Sequence, residues 1–240
     1  MTLPSRRVFA DPPEMARAAA ERVADLLRRR GTDRKPLSLV LAGGRSADLF
    51  NRFFFNPRRF PSVPWGKIHL FWGDERCVPH RDPSSNAGAA RRVLGPRGPV
   101  PGRRQYPFFL KPGDPRRDAG RFEGRLRRWF RNRRPDVVLL GMGEDGHTAS
   151  LFPGFPALSE KRRWVAFVEN APKPPPGRLT LTLPFFNRAR HVIFLVQGPG
   201  KQRALRRVWR ARGNTLPAGR VRPARGSLEW YVTREALRKG

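Results

Sequence analysis

Residues 135–154 carry the side chains whose types and spacing best suit catalysis, in the order P-D-V-V-L-L-G-M-G-E-D-G-H-T-A-S-L-F-P-G. The apolar run at 137–140 is too short for a helix and predicts a strand buried on both faces, as parallel sheets require. Three glycines then alternate with Glu144, Asp145 and His147. Histidine is the side chain whose ordinary pKa suits proton transfer near neutral pH. The pattern predicts a ligand site at the carboxyl end of a strand.

This turn also has a plainer interpretation, in which a polar loop follows the strand and His147 only caps a helix. We expect a helix to start within residues 148–152 and to end at Pro153 and Gly154. The residues of the turn, taken alone, are compatible with both a catalytic and a capping histidine.

A second glycine-rich turn, Gly43-Gly44-Arg45-Ser46, follows a predicted strand at 37–42 and precedes a predicted helix. Backbone N–H groups and the positive end of a helix dipole make such a turn an anion site, although a merely tight turn has the same pattern. Ser46 also occupies the nucleophile position of a G-x-S-x-G esterase elbow. Asp48 stands where that motif has its last glycine, which disfavours a serine esterase.

Two further segments carry charged side chains that suit a phosphate ligand. Arg76 ends the run G-D-E-R, and its guanidinium fork matches the geometry of a phosphate dianion. Lys201 follows a glycine turn at a helix start, although this segment lacks the complete pattern of a P-loop. Cys77 and His80 have no second cysteine near them, so the sequence predicts no zinc site.

Strands alternate with helices along the chain, which indicates the α/β class. We predict a single domain over residues 1–240, since that length suits one well-buried α/β domain. Predicted helices cover 11–30, 46–55, 114–130 and 202–209. Predicted strands cover 37–42, 67–72, 137–140, 164–168, 178–183, 191–196 and 228–232, of which 178–183 alternates as a half-buried strand does. Residues 95–115, rich in Gly, Pro and Arg, predict an exposed connection.

The composition bounds the compartment and the partners. Without an apolar run near ~20 residues or a signal-peptide core, and with one cysteine, we expect a cytoplasmic protein that does not enter the membrane. Lys and Arg number 50 against 19 Asp and Glu, a formal net charge of +31. Such a charge is typical of nucleic-acid binders. The basic residues are mostly arginine, scattered along the chain without a nucleic-acid-binding motif, so we expect adventitious polyanion binding and no specific nucleic-acid partner.

The run G-M-G-E-D-G-H-T-A-S-L-F-P-G resembles the signature loop of the 6-phosphogluconolactonases. Further similarity lies in F-W-G-D-E-R-C-V-P, a later D-P-x-S-N, and R-L-T-L-T-L, in the family's order from about residue 37 to 236. The resemblance implies a Rossmann-like domain, with a mainly parallel sheet flanked by helices, as in the glucosamine-6-phosphate deaminase and ribose-5-phosphate isomerase superfamily. It implies hydrolysis of 6-phosphogluconolactone. We expect a monomer, and neither a cofactor nor a metal.

The resemblance also implies roles for individual residues. His147 is expected to act as the general base, and Asp145 to orient the imidazole or a substrate hydroxyl. The expected substrate-binding residues are Gly43, Gly44, Ser46, Asp74, Arg76, Arg178 and Lys201. The phosphate loop departs from the family pattern S-G-G-S-T-P at four positions, with Ala42, Arg45, Ser46 and Ala47 in place of Ser, Ser, Thr and Pro. Arg45 either adds a phosphate contact or points away.

Two other functions remain open. Glucosamine-6-phosphate deaminases have a related pocket, but their loop resembles G-x-D-G-H-I-A-F-N-E-P, and the Asn-Glu pair is missing here. The other alternative is a basic, non-enzymatic polyanion-binding protein.

Overall fold

A seven-stranded parallel sheet forms the centre of the fold in the computed structural model, which describes residues 4–32, 35–108, 114–210 and 216–238. The strands of the described residues are β1 (Ser5–Phe9), β2 (Leu37–Leu41), β3 (Ile68–Trp72), β4 (Asp74–Arg76), β5 (Gln105–Tyr106), β6 (Val137–Gly141), β7 (Val165–Val168), β8 (Arg178–Leu181), β9 (His191–Val196) and β10 (Ser227–Thr233). The central order is β1-β10-β9-β6-β2-β3-β5, with every neighbouring pair parallel. The predicted mainly parallel α/β fold is therefore confirmed.

Helices connect these strands and bury the sheet. They are α1 (Pro12–Arg30), α2 (Arg45–Phe54), α3 (Asn86–Leu94), α4 (Pro115–Trp129), α5 (Leu183–Phe186) and α6 (Gln202–Trp209). Single 3₁₀ turns cover Trp65–Lys67, Gly102–Arg104, Pro156–Ser159, Pro217–Arg220 and Arg234–Leu237. Across the described ranges, we find no helix whose length and apolar character would let it cross a membrane.

The long helices begin where the sequence predicts. Asp11 caps α1, its carboxylate accepting a hydrogen bond from the backbone N–H of Glu14 at 2.7 Å. Asp114 caps α4 in the same way, through the N–H of Arg117 at 2.8 Å. A carboxylate at the N-cap satisfies a free backbone donor and opposes the helix dipole, and the proline after each aspartate fits the first turn. Of the predicted connection at 95–115, residues 109–113 lie outside the described part of the chain.

The three central strands end together at one edge of the sheet. β6 pairs with β9 so that Gly141 lies opposite Leu195, and β2 pairs with β6 on the other side. The loops that leave β2, β6 and β9 therefore meet at the carboxyl edge, the usual position of ligands in an open α/β sheet.

A second, antiparallel sheet of order β4-β8-β7 lies beside this edge, where the N–H of Gly73, just before β4, donates to the carbonyl of Leu41 at the end of β2 at 2.8 Å. The prediction of a half-buried strand at 178–183 is wrong, because every residue of β8 is buried. The alternation of leucine with threonine suggests a solvent-exposed face, but these threonines are buried. Thr180 makes its side-chain hydrogen bonds inside the protein. β4 and β8 place Arg76 opposite Arg178.

The helix expected within residues 148–152 is absent. Thr148 and Leu151 instead exchange backbone hydrogen bonds across a tight turn, with N···O distances of 3.4 and 2.9 Å. Ala149 has a φ of 48°, in the left-handed region that a right-handed helix excludes. β1 was not predicted from the sequence, because its residues S-R-R-V-F contain no apolar run. Most of this strand is exposed.

Candidate active site

A cavity of about 330 Å³ lies at the carboxyl ends of β2, β6 and β9. Backbone from the two glycine-rich turns forms part of its wall, and basic side chains from separate segments form much of the rest. Its lining includes Gly43, Gly44, Arg45, Ser46, Asp74, Arg76, Asn86, Gly143, His147, Lys173, Arg178, Gln197 and Lys201. All the predicted substrate-binding residues and His147 thus come together in one cavity, to which Asp145 is joined through His147.

His147 is held in one orientation by its own loop. Its Nδ1 lies 2.5 Å from Oδ1 of Asp145, which also accepts the backbone N–H of His147 at 3.1 Å. The imidazole packs on the ring of Phe152, with the centroids 4.6 Å apart. Because Nδ1 is occupied by a carboxylate, it carries the proton in the neutral imidazole, and Nε2 is the nitrogen that can accept one.

The pKa of Asp145 shows how closely the two side chains are coupled. Partial burial alone would raise this pKa, but the hydrogen bond and the charge of His147 outweigh it and lower the pKa to about 2. Asp145 is therefore ionised throughout the physiological range, which places a negative charge beside Nδ1 of His147.

Gly143 is required where it stands because its Cα lies against the imidazole. A Cβ there would come within 2.1 Å of Nδ1 and Cε1 of His147. The backbone N–H of Gly143 donates to the carbonyl of His147 at 2.9 Å, which closes the loop on itself. The glycine thus lets the histidine fold back over the end of β6.

The turn after β2 also needs its glycines. Gly44 has a φ of 86°, and a Cβ on Gly43 would overlap the side-chain amide of Asn86, 2.0 Å from Oδ1. Ser46 lies in the first turn of α2, and Arg45, one of the departures from the family pattern, is exposed and lines the cavity. The N-terminus of α2 therefore offers free backbone N–H groups and a basic side chain at the same place, both of which favour an anion.

Asp74 is held by two residues to which the sequence analysis assigned no role. Ser150 Oγ donates to Oδ2 of Asp74 at 2.6 Å, and Asn86 Nδ2 donates to its Oδ1 at 3.1 Å. Asn86 belongs to the quoted D-P-x-S-N segment and Ser150 to the central loop, so only their motifs could have pointed to them. The adjacent Glu75 points away and is buried against α3, as expected of neighbouring carboxylates on a strand.

Arg76 and Arg178 are fixed by backbone carbonyls. Arg178 Nε donates to Pro175 O at 2.7 Å and its Nη2 to the carbonyls of Lys173 and Pro174, while Arg76 Nη1 donates to Ser84 O. Burial, and next the charge of Arg76, lower the pKa of Arg178. Two guanidinium groups this close favour an anion between or beside them.

Lys201 is the N-cap residue of α6 and lies 3.5 Å from Glu144. Burial lowers the pKa of this lysine, although the charge of Glu144 opposes the shift. Within the described ranges, no three His, Cys, Asp or Glu side chains are grouped so that they could hold a metal ion.

The family profile described as glucosamine-6-phosphate isomerases/6-phosphogluconolactonase matches residues 10–230. The chain belongs to this family.

Several 6-phosphogluconolactonases resemble the chain along nearly its whole length. A 6-phosphogluconolactonase of Mycobacterium tuberculosis is 37% identical over 98% of each chain, and one of Rattus norvegicus is 35% identical over 96% of this chain and 91% of the relative. The solved structure of 6-phosphogluconolactonase from Trypanosoma brucei matches with a TM-score of 0.84, 27% identity and 98% coverage of both chains. The resemblance identified from the sequence motifs is confirmed.

Proposed function

We propose that this member of the family hydrolyses 6-phosphogluconolactone to 6-phosphogluconate, with His147 as the general base. The observation that carries the proposal is the 2.5 Å contact between Asp145 and Nδ1 of His147, because it leaves Nε2 to act in a basic cavity. The names of the similar proteins support the substrate.

Substrate binding in this proposal uses the basic side of the cavity. The phosphate is held by the N–H groups of the Gly43-Gly44 turn, the hydroxyl of Ser46, and the cations of Arg76 and Lys201. Asp74, kept in place by Ser150 and Asn86, faces the sugar and accepts from a hydroxyl. Holding the phosphate at one end orients the lactone carbonyl toward the histidine at the other.

The chemistry then needs one proton acceptor that becomes a donor. Nε2 of His147 takes a proton from water, and the resulting hydroxide attacks the carbonyl carbon to form a tetrahedral oxyanion. Collapse of this intermediate breaks the bond from the carbonyl carbon to the ring oxygen, which takes the proton from His147. Asp145, ionised because its pKa is about 2, stabilises the imidazolium between the two transfers.

The oxyanion needs positive charge beside the cavity. We assign this role to Arg178, whose guanidinium lines the cavity while two of its nitrogens hold the carbonyls of residues 173–175. Those hydrogen bonds keep the charge in place before the substrate arrives, which is what electrostatic stabilisation of a transition state requires.

The first test is hydrolysis of freshly made 6-phosphogluconolactone, with 6-phosphogluconate release followed by a coupled dehydrogenase and the spontaneous rate subtracted. We expect His147→Ala to lower kcat by about 10²- to 10⁴-fold, the usual contribution of a general base. His69→Ala is the matched control, because His69 lies on β3 and is not among the residues that line the cavity. Its Nδ1 is 3.0 Å from the hydroxyl of Tyr106. Full activity of His147→Ala would refute the assignment of the base, and no activity of folded wild type would refute the substrate.

The deaminase alternative is tested on the same preparations. Glucosamine 6-phosphate is incubated with the wild type and ammonia release is measured. We expect none above background, because the segment after His147 is T-A-S-L-F-P-G and lacks the Asn-Glu pair of the deaminase loop. Turnover of the amino sugar without lactone hydrolysis would replace the proposed function.

A further inference from the structure

Gln197 is a polar residue in the cavity wall for which the reaction described above has no use. It follows the last residue of β9 and lines the cavity. In the described part of the chain, its Oε1 is buried and has no hydrogen-bond partner. A buried amide oxygen without a partner is unfavourable, so a rotation of this side chain that brings the amide to a ligand hydroxyl in the cavity gains affinity.

The strand register places Gln197 at the reacting end of the cavity. Leu195 of β9 lies opposite Gly141 of β6, the last pair of that register, and Gln197 and Gly143 each follow two residues later in the lining of the same cavity. Gly143 is the residue whose Cα lies against the imidazole of His147. The loops that follow are also adjacent, since Lys201 contacts Glu144.

We propose that the side-chain amide of Gln197 binds the substrate hydroxyl nearest to the lactone carbonyl and selects for its presence. This inference rests on the proposed function. Water activated by His147 must reach the carbonyl carbon, whose ring neighbours are the ring oxygen and carbon 2. The hydroxyl on carbon 2 is therefore the one closest to the reaction. A hydroxyl both donates and accepts hydrogen bonds, so it can pair with either the oxygen or the NH₂ group of the amide.

The experiment crosses a change in the substrate with a change in the enzyme. Lactones are made in situ by oxidising glucose 6-phosphate and 2-deoxyglucose 6-phosphate, and hydrolysis is followed by proton release after subtraction of the spontaneous rate. The measured quantity is kcat/KM for the 2-hydroxy lactone divided by that for the 2-deoxy lactone. We expect the wild type to favour the hydroxylated lactone by about 10-fold, the usual effect of a neutral hydrogen bond.

Gln197→Met keeps a similar length without polar atoms, and we expect its ratio to fall close to one. Gln197→Ala is the second truncation, in case the methionine disturbs folding. Gln197→Glu keeps an acceptor for the hydroxyl and should retain most of the preference. Gln105→Met is the matched control, because Gln105 lies on β5 outside the cavity and its amide donates to Val100 O.

A wild-type ratio in both Gln197→Met and Gln197→Ala would overturn the inference while leaving the lactonase function intact. A wild-type ratio near one would overturn it as well. Wild type inactive on both lactones would instead refute the proposed function, so the two failures are distinguishable.

Discussion

At the scale of single residues, the contact between His147 and Asp145 decides which imidazole nitrogen is available. The carboxylate occupies Nδ1, and because its pKa is about 2 rather than the ordinary 3.8, it stays charged through the range in which a histidine titrates. Its folded pKa is depressed, so any stability from this contact is kept above about pH 4 and lost as the pH falls through about 2.

The role of Asp145 is tested by Asp145→Asn. We expect kcat/KM at neutral pH to fall roughly 10- to 100-fold, less than the ~10²- to 10⁴-fold effect of removing a base, because the imidazole remains but its tautomer is no longer selected. Steady-state kinetics at neutral pH measure this effect. An unchanged kcat/KM would mean that the aspartate only shapes the loop.

At the scale of elements, a buried carboxylate joins β4 to α3 and so positions the Asp74 side of the cavity. Oε1 of Glu75 accepts from the backbone N–H groups of Arg76 and Asn86, both at 2.8 Å. Its Oε2 accepts from the N–H of Ala87 and from Ser85 Oγ. Glu75 is fully buried, and it satisfies donors at the N-terminus of α3.

Glu75→Gln tests this connection, because an amide can accept on one side only and its NH₂ group must face buried donors. We expect a loss of about 1–3 kcal/mol in unfolding free energy, or roughly 2–4 °C in Tm for each kcal/mol. Glu169→Gln is the matched control, since Glu169 is exposed and forms an ion pair with the exposed Arg116. Chemical denaturation of both variants measures the difference, and equal stability would show that Glu75 does not hold the two elements together.

At the scale of the whole molecule, several arginines pack against aromatic rings. Arg127 and Arg188 lie 4.6 and 4.8 Å from the ring centroid of Trp164. The same arrangement pairs Arg6 with Trp209, Arg125 with Tyr106, and Arg133 with Trp129. Planar guanidinium groups stack on aromatic rings in a way that the lysine ammonium does not. These arginines therefore have a packing role that requires no nucleic acid.

The net charge of +31 nevertheless predicts non-specific binding to polyanions. We expect DNA duplexes of unrelated sequence to bind with equal affinity, falling about 100-fold or more between 50 and 200 mM salt through counterion release. Fluorescence anisotropy over a salt series measures this, with a neutral polysaccharide as competitor control. A preference of more than about 10-fold for one sequence at constant salt would contradict the expectation and support a nucleic-acid function.

The local features of the chain were determined by the sequence itself. The buried strand at 137–140, the starts of α1 and α4, and the turn after β2 were all predicted where they occur. Each depends on neighbouring residues: an apolar run of strand length, a carboxylate before a proline, or a glycine pair between a strand and a helix. The motifs also identified the family, because they combine uncommon residues in a constant order.

Tertiary structure alone decided which of these features touch. Ser150 reaches Asp74 across 76 positions of sequence, and Gln197 and Gly143 line the same cavity because β9 lies beside β6. Packing in the tertiary structure also buries both faces of β8. Residues 148–151 form a turn where a helix was expected. The physical reason is that sequence restricts the backbone locally, whereas strand order and packing choose partners among segments that are remote along the chain.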